Sequence, residues 1–155
     1  MEEADTMFLR RAIALAQSSR DEGGRPFGAL VVLGAEVLAD SARARSDARD
    51  ATAHSEMRAV RAAAQQHPPA ALARATLYAS AEPCAMCAGA VYWSGIGRVV
   101  FGLSEAKLRA LTGDHPANPT LSLPCRELFA RGQRAIEVIG PLLEHEAAIP
   151  HREYW

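Results

Sequence analysis

Residues 76–102 read "TLYASAEPCAMCAGAVYWSGIGRVVFG", and how this stretch folds decides the architecture. The run "ATLYAS" at 75–80 has the composition of a strand. Pro83 and the apolar "CAMCAGAVYWSG" follow, then the β-branched "RVVFG". Proline just before a helical segment and Gly95 just after it punctuate a helix. The stretch predicts strand–helix–strand, with Cys84 and Cys87 in the helix's first turn and the helix buried.

The flanks extend the same alternation. Residues 5–20 bring Phe8, Ala12, Ile13, Leu15 and Ala16 close to helical spacing, with Asp5 or Thr6 as a cap. "DEGGRPFG" is a loop by its glycine and proline content. "ALVVLGAEVLAD", 29–40, reads as two short strands around a turn at Gly34. A polar loop over 41–53 leads to "HSEMRAVRAAAQQ", a helix that "HPP" ends. Beyond residue 102 come a short helix, "SEAKLRAL", capped by Ser104, and a long loop over 112–124. A last strand, "RAIEVIG", follows, and 141–155 form a terminal helix and tail. The order α-β-β-α-β-α-β-α-β-α argues for one α/β domain over 1–155, its sheet mixed by the early hairpin and covered on both faces.

Composition narrows the function. The chain has 155 residues, 49% hydrophobic and 23% charged, and a formal net charge of −1. A chain this long buries a sizeable single core. Its charge balance provides no field that gathers nucleic acid or an anionic membrane. No stretch of 18 apolar residues suggests a membrane span. The start, "MEEADTMFLRRAIALAQ", lacks the basic region and cleavage site of a signal peptide, so a cytoplasmic location is expected. Three cysteines are poor disulfide material there. C-x-x-C is then a redox pair or a metal clamp, and the clamp needs a histidine.

"TAHSE" at 52–56 supplies one. The combined pattern is His54-x-Glu56, then Pro83-Cys84-x-x-Cys87. Two thiolates and an imidazole suit zinc, and three protein ligands leave the fourth position open, the mark of a catalytic rather than a structural site. Zinc lowers the pKa of a water there toward about 7. His54 opens one predicted helix and the cysteines open another, so two positive helix ends converge on the ion and favour thiolates. Glu56 is placed to take a proton from that water and give it to a leaving amine. H-x-E followed by P-C-x-x-C is the known signature of zinc nucleobase deaminases. The rival reading is a closed zinc site, with Cys125 or His115 as fourth ligand. Cys125 otherwise reads as a small buried hydrophobe.

"PFGALVV", "TAHSEMRAV" and the 76–102 stretch resemble the zinc-dependent cytidine/deoxycytidylate deaminase superfamily, in the branch of guanine deaminases and tRNA adenosine deaminases. The resemblance covers about residues 5–103. It implies a three-layer α/β/α fold with a five-stranded mixed sheet. It implies one Zn2+ per subunit on His54, Cys84 and Cys87, with Glu56 as proton shuttle and the Cys84 N–H helping to hold the attacking oxygen. It also implies a homodimer. "GGRPFGA" and Tyr92-Trp93 look like bacterial guanine deaminases. "SGIGRVVFG" looks equally like the tRNA enzymes, whose basic C-terminal helix meets RNA. Residues 126–155 here hold four arginines and five glutamates, a poor phosphate surface. They end in "REYW", and an aromatic tail closes the pocket in guanine deaminases, often that of the partner subunit.

The expectation is therefore an aminohydrolase releasing ammonia from a small nucleobase or nucleoside, a purine such as guanine first. The alternatives are a tRNA adenosine deaminase, or a deaminase of a pyrimidine base or another aminated ring. A zinc-binding subunit without activity ranks last, because Glu56 is present. Neither nucleic acid nor a membrane is expected as a partner. Candidate substrate contacts are Phe27, Gly28, Ala29, Trp93, Asp114, Tyr154 and Trp155. Phe27 and Trp93 offer aromatic faces for stacking. One departure stands out. The branch has an asparagine eleven residues before the zinc histidine, where this chain has Arg43, and Ala51 replaces a proline. An arginine fork there either reads a ring nitrogen, a carbonyl or a carboxylate in place of that amide, which would mean a changed substrate, or points to solvent.

Overall fold

The computed structural model describes residues 2–42 and 49–155. Five strands form one sheet: β1 (Ala29–Leu33), β2 (Glu36–Asp40), β3 (Thr76–Ala81), β4 (Arg98–Leu103) and β5 (Glu137–Ile139), in the order β2-β1-β3-β4-β5. β1 runs antiparallel to both β2 and β3, whereas β3, β4 and β5 are mutually parallel. The mixed sheet is therefore as expected. Leu33 pairs with Glu36, so Gly34 and Ala35 make a two-residue turn, and Gly34 takes φ 63°, which glycine adopts at no steric cost.

The helices are α1 (Glu3–Asp21), α2 (Ser55–Gln66), α3 (Pro69–Leu72), α4 (Ala85–Ser94), α5 (Glu105–Thr112), α6 (Cys125–Ala130) and α7 (Glu144–Ala148). Strand side chains alternate between two cores, as the period of two demands. Ala29 and Val31, Leu77 and Ala79, and Val99 and Phe101 pack with Ala59, Val60 and Ala63 of α2, Ala88 and Val91 of α4, and Phe129 of α6. Leu30, Val32, Tyr78 and Val100 pack on the other face with Phe8, Leu9 and Ala12 of α1. The result is a three-layer α/β/α sandwich.

Glu2 rather than Asp5 is the N-cap of α1, and Asp5 closes a capping box from within the helix, its Oδ2 accepting the Glu2 N–H at 2.9 Å. Asp5 lies in the first turn at 0% exposure, holding the helix to the sheet. The Arg98 guanidinium donates two hydrogen bonds to it, at 2.6 and 2.7 Å, and the Tyr78 hydroxyl a third at 2.8 Å. Arg98 holds the Asp5 carboxyl well below the usual range, against the burial that opposes ionisation. The segment 134–140 contributes only Glu137–Ile139 as strand, and 141–155 form a five-residue helix and a 3₁₀ turn rather than one helix. α3 and α6 are short helices that the sequence pattern does not announce.

Candidate active site

α2 and α4 pack side by side on one face of the sheet. His54 immediately precedes α2 and Cys84 immediately precedes α4, both with extended backbone, and neither side chain caps its helix. Both side chains are thus free to meet. Cys84 Sγ lies 3.6 Å from His54 Nδ1 and 3.6 Å from Cys87 Sγ, and Cys87 Sγ lies 3.5 Å from His54 Nδ1. Among the described residues this is the one His/Cys/Asp/Glu group with ligand spacing. A tetrahedral zinc with ordinary bond lengths asks for S···S of about 3.8 Å and S···N of about 3.6 Å, so the trio fits that ion. Cys125 and His115 stand outside the group, which disposes of the closed four-ligand site. Cys125 is buried at the start of α6, and burial pushes its thiol up to about 12.

The trio is electrically coupled. The Cys87 thiol beside it, and then the His54 imidazole, draw Cys84 down to about 4. The Cys84 sulfur raises the His54 imidazole. The same sulfur, followed by burial, pushes Cys87 upward. Both sulfurs must be thiolates to ligate a metal, so metal binding releases protons from this trio. Glu56 is 6% exposed, accepts a hydrogen bond from the Ser55 hydroxyl, and lies beside the Cys87 sulfur. Burial raises its carboxyl, with Ser55 acting against that.

The other candidates divide. Phe27 borders the C-terminal ends of the parallel strands, packed near Ala81 and Leu103. Its ring centroid is 6.2 Å from that of Trp155 and 5.3 Å from that of His151. Trp155 Nε1 donates to His151 Nδ1 at 3.0 Å, and its ring meets Tyr154 at 4.8 Å. Tyr154 also donates to the Gly24 carbonyl. The tail therefore folds back on its own chain. Arg25, which sequence reasoning passes over, sits 5.8 Å from both the Phe27 and the Trp155 rings and donates to the Ala117 carbonyl. Its charge disfavours protonation of His54. Gly28 and Ala29 contribute packing and backbone: Gly28 N–H donates to Ser80 Oγ at 3.0 Å and Ala29 N–H to Ser41 Oγ at 3.2 Å. Asp114 is exposed in the loop after α5. Trp93 is 84% exposed, edge-on to Tyr92, on the outer side of a helix whose sequence predicts burial all round. Arg43 lies outside the described residues.

Sequence reasoning also misses Glu82. Its Oε1 accepts from the Glu105 N–H and its Oε2 from the Cys125 N–H, both at 2.9 Å, so one carboxylate holds the first turns of α5 and α6. A carboxylate at two helix N-termini is stabilised by both dipoles. The sequence signal is only its adjacency to Pro83-Cys84.

This fold and this three-ligand centre with a buried carboxylate define a zinc-dependent aminohydrolase, and known proteins agree. The family model of the cytidine and deoxycytidylate deaminase zinc-binding region matches residues 2–103, and the chain belongs to that family. It is 42% identical to a probable cytosine deaminase of Schizosaccharomyces pombe, over all of this chain and 94% of that one. It is 36% identical to a tRNA-specific adenosine deaminase of Bacillus subtilis over 66% of this chain and 64% of that one. The solved structure of a guanine deaminase from Nitrosomonas europaea superposes with a TM-score of 0.69 at 27% identity, covering 94% of this chain and 81% of that one. The chain is a hydrolytic deaminase of the nucleobase or nucleoside type, and no described helix is long and apolar enough to cross a membrane.

Proposed function

We propose that this deaminase acts on a free nucleobase, a cytosine-like pyrimidine first and guanine second, with Glu56 as its proton shuttle. The observation that carries the reading is Glu56 itself, a buried carboxyl at the first turn of α2 beside the His54–Cys84–Cys87 trio. When bound by these three residues, zinc supplies the Lewis acidity that makes water a nucleophile at neutral pH. Glu56 takes the water's proton and delivers it to the ring nitrogen beside the C–NH2 carbon as the water oxygen bonds to that carbon. It then carries the second proton to the amine. The C–N bond breaks, its electron pair leaves on ammonia, and a ring carbonyl remains. The raised pKa of Glu56 suits a group that must both take and return a proton.

The order of substrates rests on the tail. The relative named as a cytosine deaminase matches the entire chain, tail included, whereas the tRNA-specific relative matches two-thirds of it. Phe27 and Trp155 pack against each other, 6.2 Å between centroids and tilted by 55°, with Tyr154 beside Trp155 and the Arg25 charge near both rings, an aromatic wall against which a flat ring can lie. In this reading the tail supplies that wall within its own subunit. The near balance of arginine and glutamate over 126–155 favours a small substrate over RNA. Arg43, in place of the branch's asparagine, and Asp114 complete the contacts as the ring's polar readers.

A homodimer belongs to this reading. Met86, Gly89 and Trp93 lie at helical spacing on α4, Trp93 exposed and the other two partly so, and nothing among the described residues stands within 4 Å of where a Gly89 Cβ would sit. Trp93→Glu converts such a dimer to monomer in light scattering. The function itself is tested by ammonia release from zinc-loaded protein on cytosine, guanine, adenine and a tRNA stem-loop. Glu56→Gln keeps its zinc and loses roughly 10²–10⁴-fold in rate. A Glu56→Gln protein that still deaminates within a few-fold of the unaltered chain refutes the assignment.

A further inference from the structure

Glu105 is the first residue of α5 and follows β4 by one residue, Ser104. Leu103 at the end of β4 pairs with Ala81 at the end of β3, and both strands run parallel. Glu105 and Cys84 therefore leave neighbouring strands at the same end of the sheet, the end where open α/β sheets bind ligands. The Glu105 N–H is satisfied by Glu82 Oε1 at 2.9 Å. Its side chain is not, because Oε2 is buried with no hydrogen-bond partner. A buried acceptor left unpaired lowers stability, and such an atom calls for an explanation. Burial, then the negative charges of Glu82, Cys84 and Glu56, push the Glu105 carboxyl up to about 7. The described fold offers no use for this carboxyl, which neither caps a helix nor pairs with a cation.

We propose that Glu105 reads the substrate, its free Oε2 accepting a hydrogen bond from a ring N–H of the heterocycle whose C–NH2 group faces Glu56. The inference rests on the deaminase reading above and narrows it. The nitrogen meant is the one that bears the sugar in a nucleoside, and a nitrogen that must carry hydrogen there cannot carry a sugar, so the substrate is the free base; a contact to guanine N1–H, which guanosine keeps, would not exclude the nucleoside. For cytosine that nitrogen is N1, and for guanine it is N9.

The test is equilibrium binding by calorimetry to zinc-loaded Glu56→Gln protein, which holds the ring without consuming it. The probes are cytosine with 1-methylcytosine, and guanine with 9-methylguanine. The parent base binds at least about tenfold tighter than its methylated form, the worth of one hydrogen bond to a charged group. Adding Glu105→Leu abolishes that preference while zinc content stays at one per chain. Its urea midpoint holds or rises, since an unpaired buried carboxyl has gone. Glu105→Gln, whose carbonyl still accepts, keeps part of the preference and serves if the leucine variant fails to fold. Equal binding of base and methylated base, or a preference that survives Glu105→Leu, overturns the proposal. If neither parent base binds and the unaltered enzyme deaminates neither, the deaminase reading of the substrate has failed and this inference falls with it.

Discussion

Glu82 allows a graded test of how the site is held. Its two carboxylate oxygens each accept one backbone N–H, from Glu105 and from Cys125. Glu82→Ala removes both acceptors and Glu82→Gln removes one, because an amide has a single carbonyl oxygen. A hydrogen bond to a charged group contributes about 1.5–3 kcal/mol, so the alanine variant loses roughly 3–6 kcal/mol. The glutamine variant keeps one neutral bond worth about 1 kcal/mol and loses roughly 2–5 kcal/mol. For a domain of this size each kcal/mol lowers Tm by about 2–4 °C. Urea unfolding of the zinc-loaded protein, followed by circular dichroism, reads the series directly. The expected order of midpoints is Glu above Gln above Ala, with unchanged slopes. Equal midpoints for glutamate and glutamine mean that one oxygen suffices and that the shared-clasp argument is wrong.

Acid stability isolates Asp5. Its folded pKa is depressed, so its contribution is present above the unfolded value of about 3.9 and fades as pH falls from there toward the folded value. Asp5→Asn therefore lowers stability at pH 7 and flattens the loss below about pH 4, as pH-dependent calorimetry would show. Gly28→Ala sets a Cβ 2.6 Å from both Ala16 N and Leu15 Cβ, and against the Ala12 carbonyl, so α1 must shift at a cost of about 1–3 kcal/mol, visible as a lower urea midpoint. Chelation removes activity and lowers Tm, and added zinc restores both. Cys84→Ser retains well under one zinc per chain by metal analysis, because a serine hydroxyl replaces a thiolate ligand.

The metal trio is legible in the sequence because each ligand is tied to a helix start, and helix starts are marked locally by proline and by the onset of apolar spacing. His54, Glu56, Cys84 and Cys87 could all be named that way. The mixed sheet follows from the hairpin around Gly34 and the strand–helix–strand run after it. What stays illegible depends on distant partners. Glu82 meets N–H groups 23 and 43 residues away, and Arg25 reaches a carbonyl 92 residues away. Trp93 shows the opposite failure: apolarity predicts burial, yet no described element of the chain covers it on the outer side of α4. Asp5 has the sequence character of a cap and the structural position of a buried anion, which only the location of Arg98 decides.

The same Glu82 contacts also bear on how this fold can change over time. The starts of α5 and α6 are twenty residues apart in the chain, yet both close onto one carboxylate. The intervening stretch, with Asp114 and His115 in it, is a loop with a clasp at its roots. Lengthening such a loop costs little, because closure entropy grows only with the logarithm of length. Insertions and deletions there can alter the loop that carries the proposed contact Asp114 while its roots, and the cysteine two residues after the clasp, stay in register. Chemistry and selectivity are therefore free to evolve separately, the first in the helix starts and the second in a replaceable segment.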